Sequence, residues 1–179
     1  NSISSNRNLY GENGERLEWG DANYNEKLYL AGAGKQSVNY HFAMTMEAEF
    51  YQPKNGIVEY GGTSSDMIYE FNGDDDLWVF IDNVLVLDIG GIHDAHSGYI
   101  NFADGVVHVE LGTDSTGSKI SAYETTLKDL YWQAKMFPDG TPWHEYDDEK
   151  VEEFFAGNTF VDYTRHTMKM FYMERGAGA

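Results

Sequence analysis

The stretch from Phe71 to Ala95, FNGDDDLWVFIDNVLVLDIGGIHDA, decides the fold of this chain. From Leu77 to Ile81 and from Val84 to Ile89 both side-chain parities are apolar, which is typical of strands that are covered on both faces. Asp82 and Asn83 lie between these two runs, and both residue types tolerate the positive φ that a two-residue hairpin turn requires. The sequence therefore predicts a buried β-hairpin at the centre of the protein.

Three adjacent carboxylates, Asp74, Asp75 and Asp76, precede the first strand of this hairpin. Adjacent carboxylates repel one another unless water or a cation screens them. One interpretation is a solvated loop, because runs of charge usually face water. The other is a calcium site, because this hard cation takes about six to eight oxygen ligands. The run lacks the alternating ligands, the glycine and the terminal glutamate of an EF-hand loop.

Other short strands surround the predicted hairpin. In the strand predicted over 41–51, apolar side chains alternate with polar ones, so one face is apolar. Further strands are predicted at 67–71, 99–102, 106–111 and 167–173. Short strands at this spacing indicate a sandwich or a barrel, so we expect an all-β fold.

The segment 113–160 differs from the rest because parts of it have helical periodicity. We predict a helical insertion that packs as a lid on the outside of one sheet. Its role is either stability or the shaping of a ligand site. The side chains predicted to share a helix face are Tyr123, Leu127, Leu130, Tyr131 and Ala134 in the first helix, and Val151, Phe154 and Phe155 in the second.

Composition limits the classes of partner. A chain of 179 residues is long enough for one domain, and we expect a single domain over 1–179. The net charge of −18, from 30 acidic and 12 basic residues, argues against nucleic acid and against an anionic membrane as partners. The chain has no cysteine, so disulfides and thiolate metal sites are excluded. No apolar run reaches the ~18 residues of a membrane span, so we expect no membrane insertion of this domain.

Three quoted segments carry a family resemblance. Gly73 to Asp82, Leu85 to His93 and 97–101 resemble the fibro-slime domain of bacterial surface proteins. That domain is similar to the protective-antigen fourteen-kilodalton (PA-fourteen) family of β-sandwiches, which includes lectin domains of yeast flocculins and epithelial adhesins. Met170 to Ala179 resembles the family's penultimate strand and glycine-rich loop, so the resemblance covers roughly 66–111 and 160–179. The family continues into one more strand, so further residues, or another segment or chain, are expected to fill that place.

The resemblance implies an antiparallel β-sandwich of the jelly-roll type and a calcium site. In the lectin branch of the family, two consecutive aspartates joined by a cis peptide bond bind calcium, and the matching positions here are Asp74 and Asp75. The same branch uses an asparagine side chain and two backbone carbonyls of the glycine-rich loop. The positions that match these ligands are Glu174, Gly176 and Gly178, and a glutamate in place of asparagine keeps an oxygen ligand.

The ligand-binding rim implied by this comparison consists of His93, Asp94 and His96, with Asp76 as a further ligand or a neighbouring acceptor. A sugar would coordinate the calcium through vicinal hydroxyl groups. His93 and His96 also permit a zinc site, although a catalytic zinc usually needs a third protein ligand, which the sequence does not mark.

These observations predict a calcium-dependent carbohydrate-binding or adhesion domain, extracellular on a bacterial cell surface, whose partner is a glycan or a host or cell-surface ligand. One alternative is a structural or protein-binding surface module in which calcium stabilises the loops. The other is a glycan hydrolase, which requires two carboxylates about 5 to 10 Å apart across a sugar cleft. No sequence motif marks such a pair, so no catalytic residue and no enzymatic activity are expected.

Overall fold

The computed structural model describes residues 9–10, 16–17, 29–32, 35–38, 41–73, 76–91, 96–113 and 119–175. The chain divides into two compact units, Asn1–Phe42 with Arg175–Ala179, and Ala43–Glu174. The elements in chain order are β1 (Leu9–Tyr10), β2 (Arg16–Leu17), β3 (Tyr29–Gly32), β4 (Lys35–Val38), β5 (His41–Tyr51), β6 (Ile57–Tyr60), β7 (Thr63–Asp66), β8 (Ile68–Gly73), β9 (Asp76–Ile81), β10 (Val84–Ile89), β11 (His96–Asn101), β12 (Val106–Thr113), β13 (Lys119–Thr126), α1 (Leu127–Ala134), α2 (Asp148–Phe154), β14 (Phe155–Ala156), β15 (Thr159–Phe160) and β16 (Arg165–Arg175).

The first unit contains two short antiparallel strand pairs. β1 pairs with β2, with Leu9 opposite Leu17, and β3 pairs with β4, with Tyr29 opposite Val38. A single domain over 1–179 stays a prediction.

The second unit contains two four-stranded sheets. The strand order is β10-β9-β16-β5 in the first sheet and β13-β12-β11-β8 in the second. β9 pairs antiparallel with β10 and with β16, and β11 pairs antiparallel with β12 and with β8. Among the strands that the structure describes, β5 and β10 are the edges of the first sheet, and β8 and β13 are the edges of the second.

The two sheets face each other across one apolar core. Leu77, Val79 and Ile81 are fully buried, because alternate residues of β9 point inward. Gly98 on β11 lets the sheets approach closely, since a Cβ there would lie 2.8 Å from Cδ1 of Ile89 on the facing sheet. The prediction of an all-β, antiparallel sandwich is therefore confirmed.

The predicted central hairpin is also confirmed. Val84 pairs with Ile81, and the two residues between them, Asp82 and Asn83, have φ values of 46° and 69°. Positive φ at both central positions defines the type I′ turn, whose twist matches that of the flanking strands.

The insertion differs from the prediction in two respects. Its first part is the strand β13, in which Tyr123 pairs with Val109, so the prediction that Tyr123 lies on a helix is wrong. Helix α1 begins only at Leu127, because the side chain of Thr126 accepts a hydrogen bond from the backbone N–H of Asp129 at 3.2 Å and caps the helix. Phe155 likewise lies on strand β14 and not on the second helix.

Helix α1 closes one side of the sandwich instead of covering the outside of a sheet. Leu127 and Tyr131 are fully buried in the common core, and the helix contacts both β10 and β13. The hydroxyl of Tyr131 donates to the backbone carbonyl of Ile81 at 2.7 Å. The helix therefore fills the gap between two edge strands, and the prediction of an outer lid is wrong. Over the described residues, no helix has the length and apolarity that a bilayer crossing requires.

Candidate functional site

Three of the residues predicted to form a site lie at one end of the sandwich. Asp76 begins β9 and pairs with Met173, so Glu174 is the next residue along β16. His96 begins β11 and pairs with Gly73, the last residue of β8. Because Gly73 and Asp76 are three residues apart, their Cα atoms are at most about 11 Å apart. The chain therefore passes from one sheet to the other within this corner.

Asp76 is a structural acceptor in this corner. Its side chain is 1% exposed, and Oδ1 accepts a hydrogen bond from the backbone N–H of Gly91 at 2.6 Å. Glu174 accepts a hydrogen bond from the hydroxyl of Tyr172 at 3.0 Å. A buried carboxylate needs such donors because its desolvation is costly. Asp76 therefore fixes the Gly90-Gly91 segment that follows β10.

The remaining predicted ligands lie outside the described residues. Within the parts of the chain given above, no three histidine or acidic side chains come together as a metal site. The calcium site and its rim therefore stay predictions. The residues outside the described ranges are Asp74, Asp75, Gly176 and Gly178 of the calcium set, and His93 and Asp94 of the rim.

A buried polar network lies at the opposite end of β9, beside the hairpin turn. Nδ1 of His166 lies 2.6 Å from Oδ2 of Asp82, and the His166 side chain is 2% exposed. The second carboxylate oxygen, Oδ1, accepts the backbone N–H of Thr167 at 2.8 Å. Burial raises the pKa of Tyr131 well above its ordinary value, and the negative charge of Asp82 raises that pKa further.

The same histidine contacts a hydroxyl group, which produces a Thr-His-Asp arrangement. Nε2 of His166 lies 2.7 Å from Oγ1 of Thr164, while that hydroxyl donates to the carbonyl of Val161 at 2.6 Å. A nucleophilic hydroxyl would instead have to donate its proton to the histidine. Phe160 stacks on the ring of His166 with centroids 3.8 Å apart. The network therefore joins β16 to the hairpin turn, and its geometry is structural.

An apolar groove of about 500 Å³ crosses the outer face of the first sheet. β9 contributes Trp78 and Phe80, β16 contributes Phe171 and Met173, and β10 contributes Leu85. The rings of Phe80 and Phe171 meet edge to face with centroids 5.7 Å apart. Phe171 is 42% exposed and Met173 is 39% exposed, so these side chains are accessible to a ligand.

The edge strand β5 completes the groove. Ala43, Met44 and Thr45 line its far side, and Met44 is 43% exposed. A second groove of about 310 Å³ shares Phe80 and Phe171 with the first, so the apolar surface continues along the sheet. The accessible surface therefore extends from the edge of the sheet to its central strands.

The sequence analysis missed this groove because β9 is apolar on both faces, and both faces were interpreted as covered. One face of β9 is indeed in the core, but Trp78 and Phe80 on the other face are only half buried. An apolar strand face has the same sequence pattern whether other elements cover it or it lines an open groove. Lys169, Phe171 and Met173 are two residues apart and therefore share one face of β16. The lysine indicates that this face meets solvent, so the two apolar residues beside it are the sequence signal for an accessible apolar surface.

Comparisons with known proteins identify partial relatives in a eukaryote. No family model matches the chain, and no solved structure matches it. Protein psiF of Dictyostelium discoideum is 38% identical over 88 residues, which are 49% of this chain and 10% of psiF. Protein psiR of that organism is 42% identical over 77 residues, 43% of this chain and 6% of psiR. Protein psiB is 36% identical over 91 residues, 51% of this chain and 14% of psiB. The chain thus spans a small part of the relatives that it matches.

These relatives correct two predictions. The chain was expected to be a calcium-dependent carbohydrate-binding or adhesion domain of a bacterial cell-surface protein, located outside the cell on that surface. The matched proteins psiF, psiO and psiB all belong to Dictyostelium discoideum, which is not a bacterium. The predicted function and the predicted bacterial location are therefore wrong, and about half of this chain is similar to a small part of each of these eukaryotic proteins.

Proposed function

We propose that the chain is a non-catalytic binding module that holds apolar side chains of a polypeptide partner in the groove on the first sheet. The observation that supports this proposal is the groove itself. Its volume of about 500 Å³ is bounded mainly by aromatic, methionine and leucine side chains from four neighbouring strands. Exposed apolar surfaces of this kind mark interaction sites, because burying them against a partner removes them from water.

The chemistry of the lining favours a polypeptide over a sugar. Only Thr45, Trp78 and Tyr172 among the lining residues carry a side-chain polar atom, and the hydroxyl of Tyr172 already donates to Glu174. A sugar ring presents hydroxyl groups that would lose hydrogen bonds to water without gaining new ones. Leucine, valine and phenylalanine side chains carry no hydrogen-bonding groups, so their burial loses no hydrogen bonds to water. The groove therefore suits alkyl and aromatic groups.

The groove walls are held by regular strands. Trp78 pairs with Phe171 across β9 and β16, and Leu85 pairs with Phe80 across β10 and β9. Side chains on paired strands keep fixed spacings of about 4.5 to 5.5 Å between Cβ atoms. A ligand therefore meets a preformed surface, which reduces the ordering cost of binding.

The absence of catalysis is part of this proposal. The buried arrangement of Thr164 with His166 and Asp82 has the residue types of a nucleophile with a base. The hydroxyl of Thr164 donates to the carbonyl of Val161 at 2.6 Å, and Phe160 stacks on the ring of His166. These contacts support a structural role for the three residues.

The test is a calorimetric titration with a synthetic peptide. The probe is an acetylated and amidated peptide of about eight residues that alternates leucine with lysine. We expect saturable binding that Phe171→Glu weakens at least ~10-fold, because a carboxylate in the groove would be desolvated. The matched control is Tyr146→Glu, since Tyr146 is 92% exposed and does not line the groove.

Two results would contradict the proposal. One is absence of binding, and the other is equal binding by Phe171→Glu and Tyr146→Glu. The titration is repeated at about 0.5 M salt, where screening removes attraction between the peptide and distant charges. Binding that disappears entirely at this salt concentration would also count against the groove.

Calcium at the acidic corner stays a separate prediction. Asp76 and Glu174 bring two carboxylates to one corner, which is compatible with a divalent cation. Asp74, Asp75, Gly176 and Gly178 would supply the other ligands. The polypeptide-binding proposal does not depend on this cation.

A further inference from the structure

We propose that the polypeptide partner binds as an added strand along the edge of β5 that no described strand pairs with, with basic residues alternating with the apolar residues that enter the groove. This inference rests on the proposed function and specifies its binding mode and its ligand class. A strand added to a sheet edge gains backbone hydrogen bonds along its length, while alternate side chains supply selectivity.

The first observation is the asymmetry of the two sides of the sandwich. Helix α1 packs against the edge strand β10, whose inward residues Val84, Val86 and Ile89 are at most 3% exposed. β5 forms the opposite edge of the same sheet. Every residue from Ala43 to Glu49 is exposed, on both faces of that strand. Among the described residues, one edge is therefore closed by helix α1, and the residues of the other edge are exposed.

The second observation is that β5 pairs on one side only. It is eleven residues long, from His41 to Tyr51, and it is the last strand of its sheet in the portion of the chain that the structure covers. Free edges are normally protected by lysine, proline or a bulge, because they template pairing with other chains. β5 contains neither lysine nor proline, and Pro53 follows its end. The edge lacks two of the usual protections.

The acidic side chains of β5 do not protect it either. Glu47 forms an ion pair with Lys169 at 3.4 Å, and Glu49 forms one with Arg165. Both basic partners belong to β16, on the side of β5 that is already paired. The charges along β5 are therefore directed to its own sheet, and they leave the outer edge accessible.

The groove and the edge are continuous. Ala43, Met44 and Thr45 belong to β5 and line the groove. A strand added beside β5 would lie about 4.8 Å from it, so its alternate side chains would reach the groove over Ala43 and Thr45. On the opposite face, the alkyl stems of the partner's lysines would cover Met46, which is 42% exposed, while their ammonium groups stay in water. Apolar positions of the partner strand would therefore be buried next to the groove.

The net charge of the chain indicates which class of partner binds at the edge of β5. Each copy of the chain carries a net charge of −18, so pairing two copies edge to edge would bring two strongly acidic molecules together. An extended segment that carries lysine or arginine between its apolar residues is attracted by the same charge. The partner is therefore a basic, extended segment of a different protein and not a second copy of this chain.

The decisive experiment uses backbone N-methylation of the same synthetic leucine and lysine peptide. In an extended strand, the N–H groups of alternate residues point to the same edge, so methylating all leucines blocks one edge and methylating all lysines blocks the other. We expect one methylated peptide to lose at least ~10-fold in affinity and the other to bind like the unmodified peptide. A peptide with glutamate in place of lysine should bind at least ~10-fold more weakly.

The outcomes separate the two proposals. If both methylated peptides bind like the unmodified one, and Phe171→Glu still weakens them, the groove binds apolar side chains without strand addition and this inference is wrong. If the unmodified peptide does not bind, the proposed function fails as well. Sedimentation of the chain alone tests the occupant, since a stable dimer would contradict the choice of a different protein.

Discussion

Nδ1 of His166 lies 2.6 Å from Oδ2 of Asp82, although the two residues are separated by 84 positions in the sequence. The pair ties the type I′ turn of the central hairpin to the start of β16, and Asp82 also accepts the backbone N–H of Thr167. Since the His166 side chain is 2% exposed and the Asp82 side chain is 12% exposed, the contact is shielded from water. This pair is therefore a long-range constraint on the register of the first sheet.

Removing the charge of Asp82 tests this constraint. Asp82→Asn keeps the shape of the side chain and the tolerance of positive φ, so the turn itself is preserved. We expect a loss of about 2 kcal/mol in the free energy of unfolding, which is typical of a buried hydrogen bond to a charged group. Urea denaturation measures it, with Glu152→Gln as an exposed control that makes the same charge change. Equal stability of the two variants would contradict the constraint.

The buried Tyr131 leads us to expect that the stability of the fold decreases at alkaline pH. Burial raises its pKa well above the ordinary value, so the folded state keeps the phenol proton to a higher pH than the unfolded state. The stability contributed by this group is present below about pH 10 and is lost as the pH rises from there towards the folded pKa. Tyr131→Phe should lower the free energy of unfolding by about 1 kcal/mol at neutral pH, because it removes the hydrogen bond to the carbonyl of Ile81.

The measurement is the difference in unfolding free energy between the wild type and Tyr131→Phe at several pH values. We expect this difference to shrink above about pH 10, because only the wild type must then bury a group that ionises in the unfolded state. Tyr163→Phe is the control, since Tyr163 is 67% exposed. A difference that stays constant across the alkaline range would show that Tyr131 is not linked to unfolding.

Two glycines with nearly the same positive φ allow backbone strain to be separated from steric clash. Gly105 has φ 78° and Gly140 has φ 80°. A Cβ at Gly105 would lie 2.2 Å from the carbonyl oxygen of Asn158, whereas a Cβ at Gly140 would meet no atom within 4 Å. Gly140→Ala should lower the free energy of unfolding by about 1 to 2 kcal/mol, through backbone strain alone. Gly105→Ala should lower it by at least about 3 kcal/mol, because the clash is added to the strain. Thermal unfolding of both variants checks this order, and similar losses would contradict it.

The calcium prediction has a direct thermal test. A cation that binds only the folded state stabilises it by mass action, by about 2.7 kcal/mol at one hundred times its Kd. We expect a chelator to lower the Tm by several degrees, and Asp75→Ala to remove that response. Asp104→Ala, on an exposed turn, is the control. A melting curve that does not change after complete calcium removal would refute the site.

The central hairpin could be predicted from sequence because its signals are local. Apolar runs on both sides of Asp82-Asn83 indicate two strands and a primed turn without any knowledge of the rest of the fold. The start of helix α1 has an equally local signal, Thr126 followed by Asp129, yet the spacing of Tyr123 and Leu127 also fits a helix face. The pairing of β13 with β12 decided between these patterns, and that pairing is not local.

The candidate site was less predictable because it depends on long-range neighbours. Trp78 and Phe80 have the sequence pattern of covered residues, and only the positions of β5 and β16 show that their outer face is a groove. The contact between Asp82 and His166 has no sequence signal at all. The corner formed by Asp76 and Glu174 follows from the register of β9 and β16, which a single sequence does not give.

In the described part of the chain, α1 closes the sandwich at β10 while β5 stays exposed, and this asymmetry has a consequence for how the scaffold can change. Substitutions at the solvent-facing positions of β5 and at Phe171 do not touch the packed interior, which is formed by Leu77, Val79 and Ile81. Selection can therefore alter what the groove accepts at little cost to folding. Related chains with the same interior are free to diverge in ligand preference at this one rim.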